Sequence, residues 1–211
     1  MMRLLWSIVV LAALAVAGVC LAILYSDVAA KMAIEHFGPV LTGTAVNVDS
    51  VQVSLRNGRG AIRGLELGSP PGFGSKRSAR VGEIRFDIDP ATVTSPLTVV
   101  HEIVVDAPVI TYERGGKAVN LDMVRERIEA YVKRDLGFTH KFVIERLEIR
   151  GARVLMTNAS LKGQGIAFDL ADTKVLDVGK RQGGITASEL AVMIVNLLQV
   201  RIAEKNLTQN R

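Results

Sequence analysis

The spacing of apolar and polar positions along this chain changes character several times, and each change marks an element. Residues 4–25 (LLWSIVVLAALAVAGVCLAILY) contain no charged side chain. About twenty apolar residues in a helix, rising 1.5 Å each, cross a ~30 Å hydrocarbon core. The run is too long for the core of a cleavable signal peptide, and Val19 before Cys20 is β-branched where lipoprotein processing wants a small residue. Residues 1–26 therefore read as a retained transmembrane anchor. Arg3 on the near side gives a slight preference for a cytoplasmic N-terminus. Residues 27–38 continue in helical character as a juxtamembrane helix, which Gly38-Pro39 is expected to break.

The period then shortens to two. Val46, Val48, Val51, Val53 and Leu55 alternate with polar residues, and a slip at Asp49-Ser50 suggests a bulge. Asn57-Gly58 is a strong hairpin signal, with Ile62, Leu65 and Leu67 on the returning strand. A Pro/Gly loop (GSPPGFGS, residues 68–75) follows. Ile84, Phe86 and Ile88 alternate up to Asp89-Pro90. Residues 97–106 are apolar at Val99, Val100, Ile103, Val104 and Val105, which suits a strand covered on both faces. Pro108 leads into Ile110 and Tyr112. A helix near residues 120–135 has Leu121, Val124, Ile128 and Val132 on one face, with Asn120 a good N-cap. Strands resume from Phe138 to Thr157 and at Ile166, Phe168 and Leu170. Residues 102–113 (EIVVDAPVITYE) faintly echo residues 146–157 (RLEIRGARVLMT), as either a tandem duplication or generic alternating strands would produce.

The end of the chain reads differently. Thr186 and Glu189 form a capping box. A helix should open there, within a C-terminal segment of residues 185–211 comprising that helix and a tail. It is apolar nearly all round. Leu190, Ile194, Leu197 and Leu198 share one face, and Val192 and Val195 extend the apolar surface beyond it. These six residues form a candidate interface with a partner protein or with lipid.

Composition narrows the chemistry. Aromatic residues make up only 5% of the chain, so the core must be built from Val, Ile and Leu. The net charge of +5 comes from small scattered groups such as Lys76, Arg77 and Arg80. Such groups suit solvated strand faces or attraction to anionic headgroups. Nucleic acid would call for a dense basic stripe or interleaved aromatics, so no nucleic-acid partner is expected. Cys20 is the only cysteine, which excludes an intrachain disulfide and a cysteine metal cluster. His36, His101 and His140 lack metal-ligand spacing. His101 shares the register of Val99 and Ile103 and reads as a core histidine. Asp87 and Asp89 read as a solvated strand end. No nucleophile elbow or phosphate loop is present. Neither an enzyme activity, a metal nor a cofactor is expected.

Taken in order, LTGTAVNVDSVQVSL (41–55), GAIRGLELGSPPGF (60–73), EIRFDIDP (83–90), IVVDAPVITYE (103–113) and VNLDMV (119–124) resemble the N-terminal module of AsmA-like bacterial envelope proteins. The resemblance covers roughly residues 38–132. It implies an inner-membrane anchor, a periplasmic domain over residues 39–184, and strongly curved sheet units of the repeating-groove type that shield acyl chains. Pro108, Tyr112, Glu113 and Asn120 would then be structural. AsmA relatives are usually several times longer, so this chain is too short to bridge two membranes alone.

The combined expectation is an α+β protein: a transmembrane helix, then a strongly curved, mainly antiparallel sheet with two amphipathic or apolar helices. Its expected function is non-enzymatic binding of acyl chains, or assistance to lipid transport and outer-membrane homeostasis in the cell envelope. The alternative is a structural or assembly subunit of a larger inner-membrane complex. Val51, Val53, Ile84, Phe86, Ile88, Ile103, Val105, Ile166 and Phe168 are the candidate lining of a lipid groove.

Overall fold

The computed structural model describes residues 27–54, 56–116, 118–133, 140–158 and 165–186. Two helices, α1 (Asp27–Thr42) and α2 (Asn120–Lys133), pack against strands that form one sheet. The strands are β1 (Val46–Asn47), β2 (Ser50–Ser54), β3 (Arg59–Gly68), β4 (Arg77–Ile88), β5 (Leu97–Asp106) and β6 (Val109–Gly115). After them come β7 (Ala118–Val119), β8 (Lys141–Arg150), β9 (Arg153–Asn158), β10 (Gly165–Asp169) and β11 (Thr173–Val178).

Three expectations are corrected here. The fold is mostly β rather than α+β. Its sheet is open, neither strongly curled nor closed, because it runs from the β1 and β2 end to the β10 and β11 end without the two ends meeting. Among the described residues no helix is long and apolar enough to cross a membrane. That finding overturns the placement as a single-pass inner-membrane protein with a periplasmic domain. The run at residues 4–25, on which that placement rested, lies outside the described residues, as does the segment bearing Leu190, Val192, Ile194, Val195, Leu197 and Leu198.

Helix α1 continues through Gly38-Pro39 to Thr42. Gly38 lies against Val46 so closely that a Cβ would sit 2.6 Å from the valine Cβ, which holds this turn on the sheet. The helix ends where Gly43, at φ 69°, donates its N–H to the Pro39 carbonyl at 2.9 Å. The charged residues of α1 turn to the sheet edge. Val53 N–H donates to Asp27 at 2.9 Å and Val48 N–H to Glu35 at 3.2 Å, while the Lys31 ammonium donates to the Val48 carbonyl at 2.7 Å. Backbone groups along this end of the sheet are thereby given partners.

The interior of the sheet is built from strands in two collinear parts. β5 and β6 run one after the other along β4, β8 and β9 pair with them in parallel, and β10 and β11 pair antiparallel with β9 and β8. The parallel register pairs Leu97 with Lys141 at one end and Arg114 with Asn158 at the other, a constant spacing of 44 residues. This spacing matches the sequence echo, so each residue of residues 102–113 lies beside its counterpart.

A line of breaks crosses the sheet at one level. It passes through Gly64, Gly82, Ala107, Gly151 and Ala171, opposite one another by register. Ala107 (φ 50°) and Gly151 (φ 59°) are left-handed. Each break shifts the alternation by one residue, so the buried set changes from Ile103 and Val105 to Ile110 and Tyr112, and from Leu147 and Ile149 to Ala152 and Val154. A second irregularity separates the pairs Val100–Ile144 and Glu102–Arg146. It turns His101 out to solvent, where Nδ1 lies 3.0 Å from Glu145 Oε2, correcting its reading as a core histidine.

Candidate functional site

The densest polar construction lies where β6, α2 and the Pro/Gly loop meet. Ile110 and Tyr112 face the core, so Thr111 and Glu113 alternate to the opposite face. Glu113 is nonetheless only 2% exposed, because the loop at residues 69–76 folds over it. Its carboxylate accepts the Gly74 and Ser75 backbone N–H groups, each at 2.7 Å. Burial pushes this carboxyl upward, but hydrogen bonds from the Ser75 hydroxyl and the two N–H groups outweigh it and hold the pKa below the usual carboxylate range.

Asn120 completes the construction from behind. Its Oδ1 accepts the Glu113 N–H at 2.9 Å, and its Nδ2 donates to the Thr111 carbonyl at 2.9 Å and to Ser78 Oγ at 3.1 Å. Ser78 Oγ in turn donates to Ser69 Oγ at 3.2 Å. The amide that sequence reading assigned to capping α2 is bonded instead to the sheet. The network ties both ends of the loop, β4, β6 and the start of α2 into one unit, in which Glu113 and Asn120 position backbone.

Beside the pinned loop lies a cleft of about 350 Å³. Its lining is Ser75, Lys76 and Arg77 from the loop and β4, Thr111 from β6, Leu155, Met156 and Thr157 from β9, and Gly165 from β10. Gly165 must be small here, since a Cβ would lie 2.2 Å from the Met156 carbonyl oxygen. Among the described residues no carboxylate lines the cleft. Arg77 is paired to Glu66, whereas the Lys76 ammonium has no hydrogen bond or ion pair among the described residues.

The rest of this face is a lattice of ion pairs within and across strands. Arg59 meets Asp87 at 2.8 Å, Arg63 meets Glu83 at 2.8 Å, Arg85 bridges Glu83 and Asp106, Arg146 meets Glu102 at 2.7 Å, and Glu148 bridges Arg150 and Lys174. The Arg85 hydrogen bond, helped by Arg63, keeps the Glu83 carboxyl below its ordinary range against the opposing effect of burial. Val104, which made β5 look covered on both faces, lies between Arg85 and Glu148 in register and is 2% exposed. The stems of long charged side chains cover it. Asp89 caps a turn by accepting the Ala91 N–H at 3.0 Å. Among the described residues no cluster of three or more His, Cys, Asp or Glu is placed to hold a metal ion.

The residues named as a groove lining fall in two environments. Val51, Ile84, Phe86, Ile88, Ile103 and Val105 are buried in one apolar cluster with the interiors of both helices, and Val53 and Phe168 pack at its margin. Ile166 stands apart at 73% exposed, on β10 opposite Met156. Exposed apolar surface concentrates elsewhere. Val28, Met32, Phe37 and Val40 on α1 are 66%, 64%, 49% and 56% exposed. Val28, Met32 and Val40 lie on the side away from buried Ala30, Ile34 and Gly38, and Phe37 lies at the margin of the buried face. Sequence reading missed this row, although the spacing 28, 32, 40 is a helical period. Neither known family models nor characterised proteins match this chain.

Proposed function

We propose that this chain is a non-enzymatic, AsmA-like lipid-handling protein that takes up acyl chains through an apolar surface rather than at a catalytic centre. The observation that carries this reading is the row Val28, Met32 and Val40, with exposed Phe37 beside it. An apolar stripe of that length on one helix, with the helix's own acidic residues turned away to the sheet edge, is suited to a lipid or apolar partner. The interior cluster that includes Ile84, Phe86 and Ile103 is already packed, so the outward row is the better acyl-chain surface. The segment order shared with AsmA-like proteins agrees with this reading. Native mass spectrometry of gently purified full-length chain is the test. Phospholipid should co-purify, and a variant carrying Val28→Ser, Met32→Ser and Val40→Ser should lose it. Lipid-free wild-type protein would overturn the reading.

A second reading, as a structural or assembly subunit, is favoured by a different observation. At the β10 and β11 end of the sheet, Ile166 and Leu176 are 73% and 59% exposed. Strand addition by another polypeptide would cover such an end. Recovery of a defined protein complex that Leu176→Lys dissolves, with no bound lipid, would favour this reading over the first.

A further inference from the structure

The cleft beside the Glu113 loop has an origin in the tandem arrangement of the sheet. Glu113 on β6 pairs in register with Thr157 on β9, 44 residues later. In the first unit a carboxylate stands at this position and draws a glycine-rich loop down over the strand. In the second unit a threonine stands there, with no carboxylate to accept two backbone N–H groups. The surface over β9 is left as the cleft, with Leu155 and Thr157 on its floor and Lys76 on its wall.

We propose that this cleft binds a small anionic amphiphile, a phosphate or carboxylate group joined to a short apolar chain. The charge argument starts from Lys76. Its ammonium has no partner among the described residues, Arg77 beside it is paired to Glu66, and among the described residues the lining contains hydroxyls but no acid. An unpaired ammonium on a wall with no acid among the described residues selects an anion. The apolar half comes from Leu155, which faces the same side as Thr111 and gives an alkyl chain a surface that inorganic phosphate cannot use. The volume suits a small ligand rather than a macromolecule. The Glu113 hydrogen bonds hold residues 74 and 75 in place, so Lys76 is presented from a fixed segment. This inference concerns the face of β9, and its failure would leave the reading of α1 untouched.

Calorimetric titration of the full chain with inorganic phosphate, hexyl phosphate and hexanol tests it. Hexyl phosphate should bind saturably and more tightly than phosphate, with hexanol binding least, and added salt should weaken the two anions. Lys76→Gln should weaken both phosphates by about fivefold. Leu155→Ser should weaken hexyl phosphate by about tenfold and leave inorganic phosphate unchanged. Circular dichroism of both variants reports that they are folded, and Lys76, exposed on its loop, supports no core. Competition by phosphatidylglycerol vesicles would identify the amphiphile as a lipid headgroup, and its absence a free amphiphile. Failure of either anion to saturate, or identical binding by wild type and Lys76→Gln, would overturn the proposal.

Discussion

The two halves of the tandem repeat share a backbone and differ in what covers them. β5 and β6 carry the Glu113-pinned loop on one face and lie near α2 on the other, and Tyr112 is 9% exposed. β8 and β9 follow the same path with the same jog, yet Met156, the counterpart of Tyr112, is 37% exposed and its neighbour Thr157 borders an open cleft. One substitution in the repeat, a carboxylate in one copy and a hydroxyl in the other, accompanies the change from covered strand to ligand-sized space. In this fold the backbone pattern is shared, and the side chain opposite a loop decides whether the surface is structural or open.

That contrast can be broken first at the shared jog. Gly151 occupies a left-handed conformation that a β-branched residue adopts only at a cost of about 1–2 kcal/mol, with added crowding at χ1. Gly151→Val should therefore destabilise the protein by about 2 kcal/mol, read as a lowered urea midpoint at unchanged slope. Removing the charge that distinguishes the two copies comes next. Glu113→Gln should cost about 1.5 kcal/mol, since charge-assisted hydrogen bonds to buried carboxylates contribute ~1.5–3 kcal/mol. Because the folded pKa of Glu113 is depressed, its contribution is complete above the unfolded value of about 4.3 and is lost as pH falls through the folded value. Wild type should lose its advantage over Glu113→Gln in that acidic window, seen in paired urea titrations at successive pH values. The smallest effect is expected at the counterpart of Gly151. Ala107→Gly relieves left-handed strain but gives up backbone order, leaving a gain of about 0.5 kcal/mol. A loss there would show that the two jogs are not equivalent.

Much of the fold was legible because period and punctuation were local. The Asn57-Gly58 hairpin, the stop at Asp89-Pro90 and the apolar face of α2 at Leu121 and Val124 all stand where the pattern placed them. The spacing of the echo even matches the parallel register. What misled was the assumption that alternation continues through a strand. The irregularity near His101 shifts the phase inside β5 and turns that ring to solvent, while Val104 is covered by the stems of charged side chains, so apolarity on both faces does not mean a second protein layer. Pro39 was read as a breaker because its contact with the sheet, through neighbouring Gly38 against Val46, is tertiary. The candidate site was half legible. Glu113 and Asn120 were singled out as structural, but the cleft depends on Lys76, Thr111 and Leu155 converging from three strands or loops, which no local pattern reports.

The parallel pairing of the two copies also has a consequence for synthesis. Antiparallel β4 and β5 can zip as soon as both have left the ribosome, whereas the second side of β5 stays unpaired until its counterpart 44 residues downstream emerges. At ~5–20 residues per second that delay is about 2–9 s. Throughout it, a strand carrying Ile103, Val104 and Val105 presents an open ladder to every other nascent chain. The two copies must also differ enough to prevent β5 from recruiting the β5 of a neighbouring chain in place of β8. Glu102 opposite Arg146 supplies such a distinction: across a self-pair it would face another glutamate, and across the correct pair it meets its ion partner.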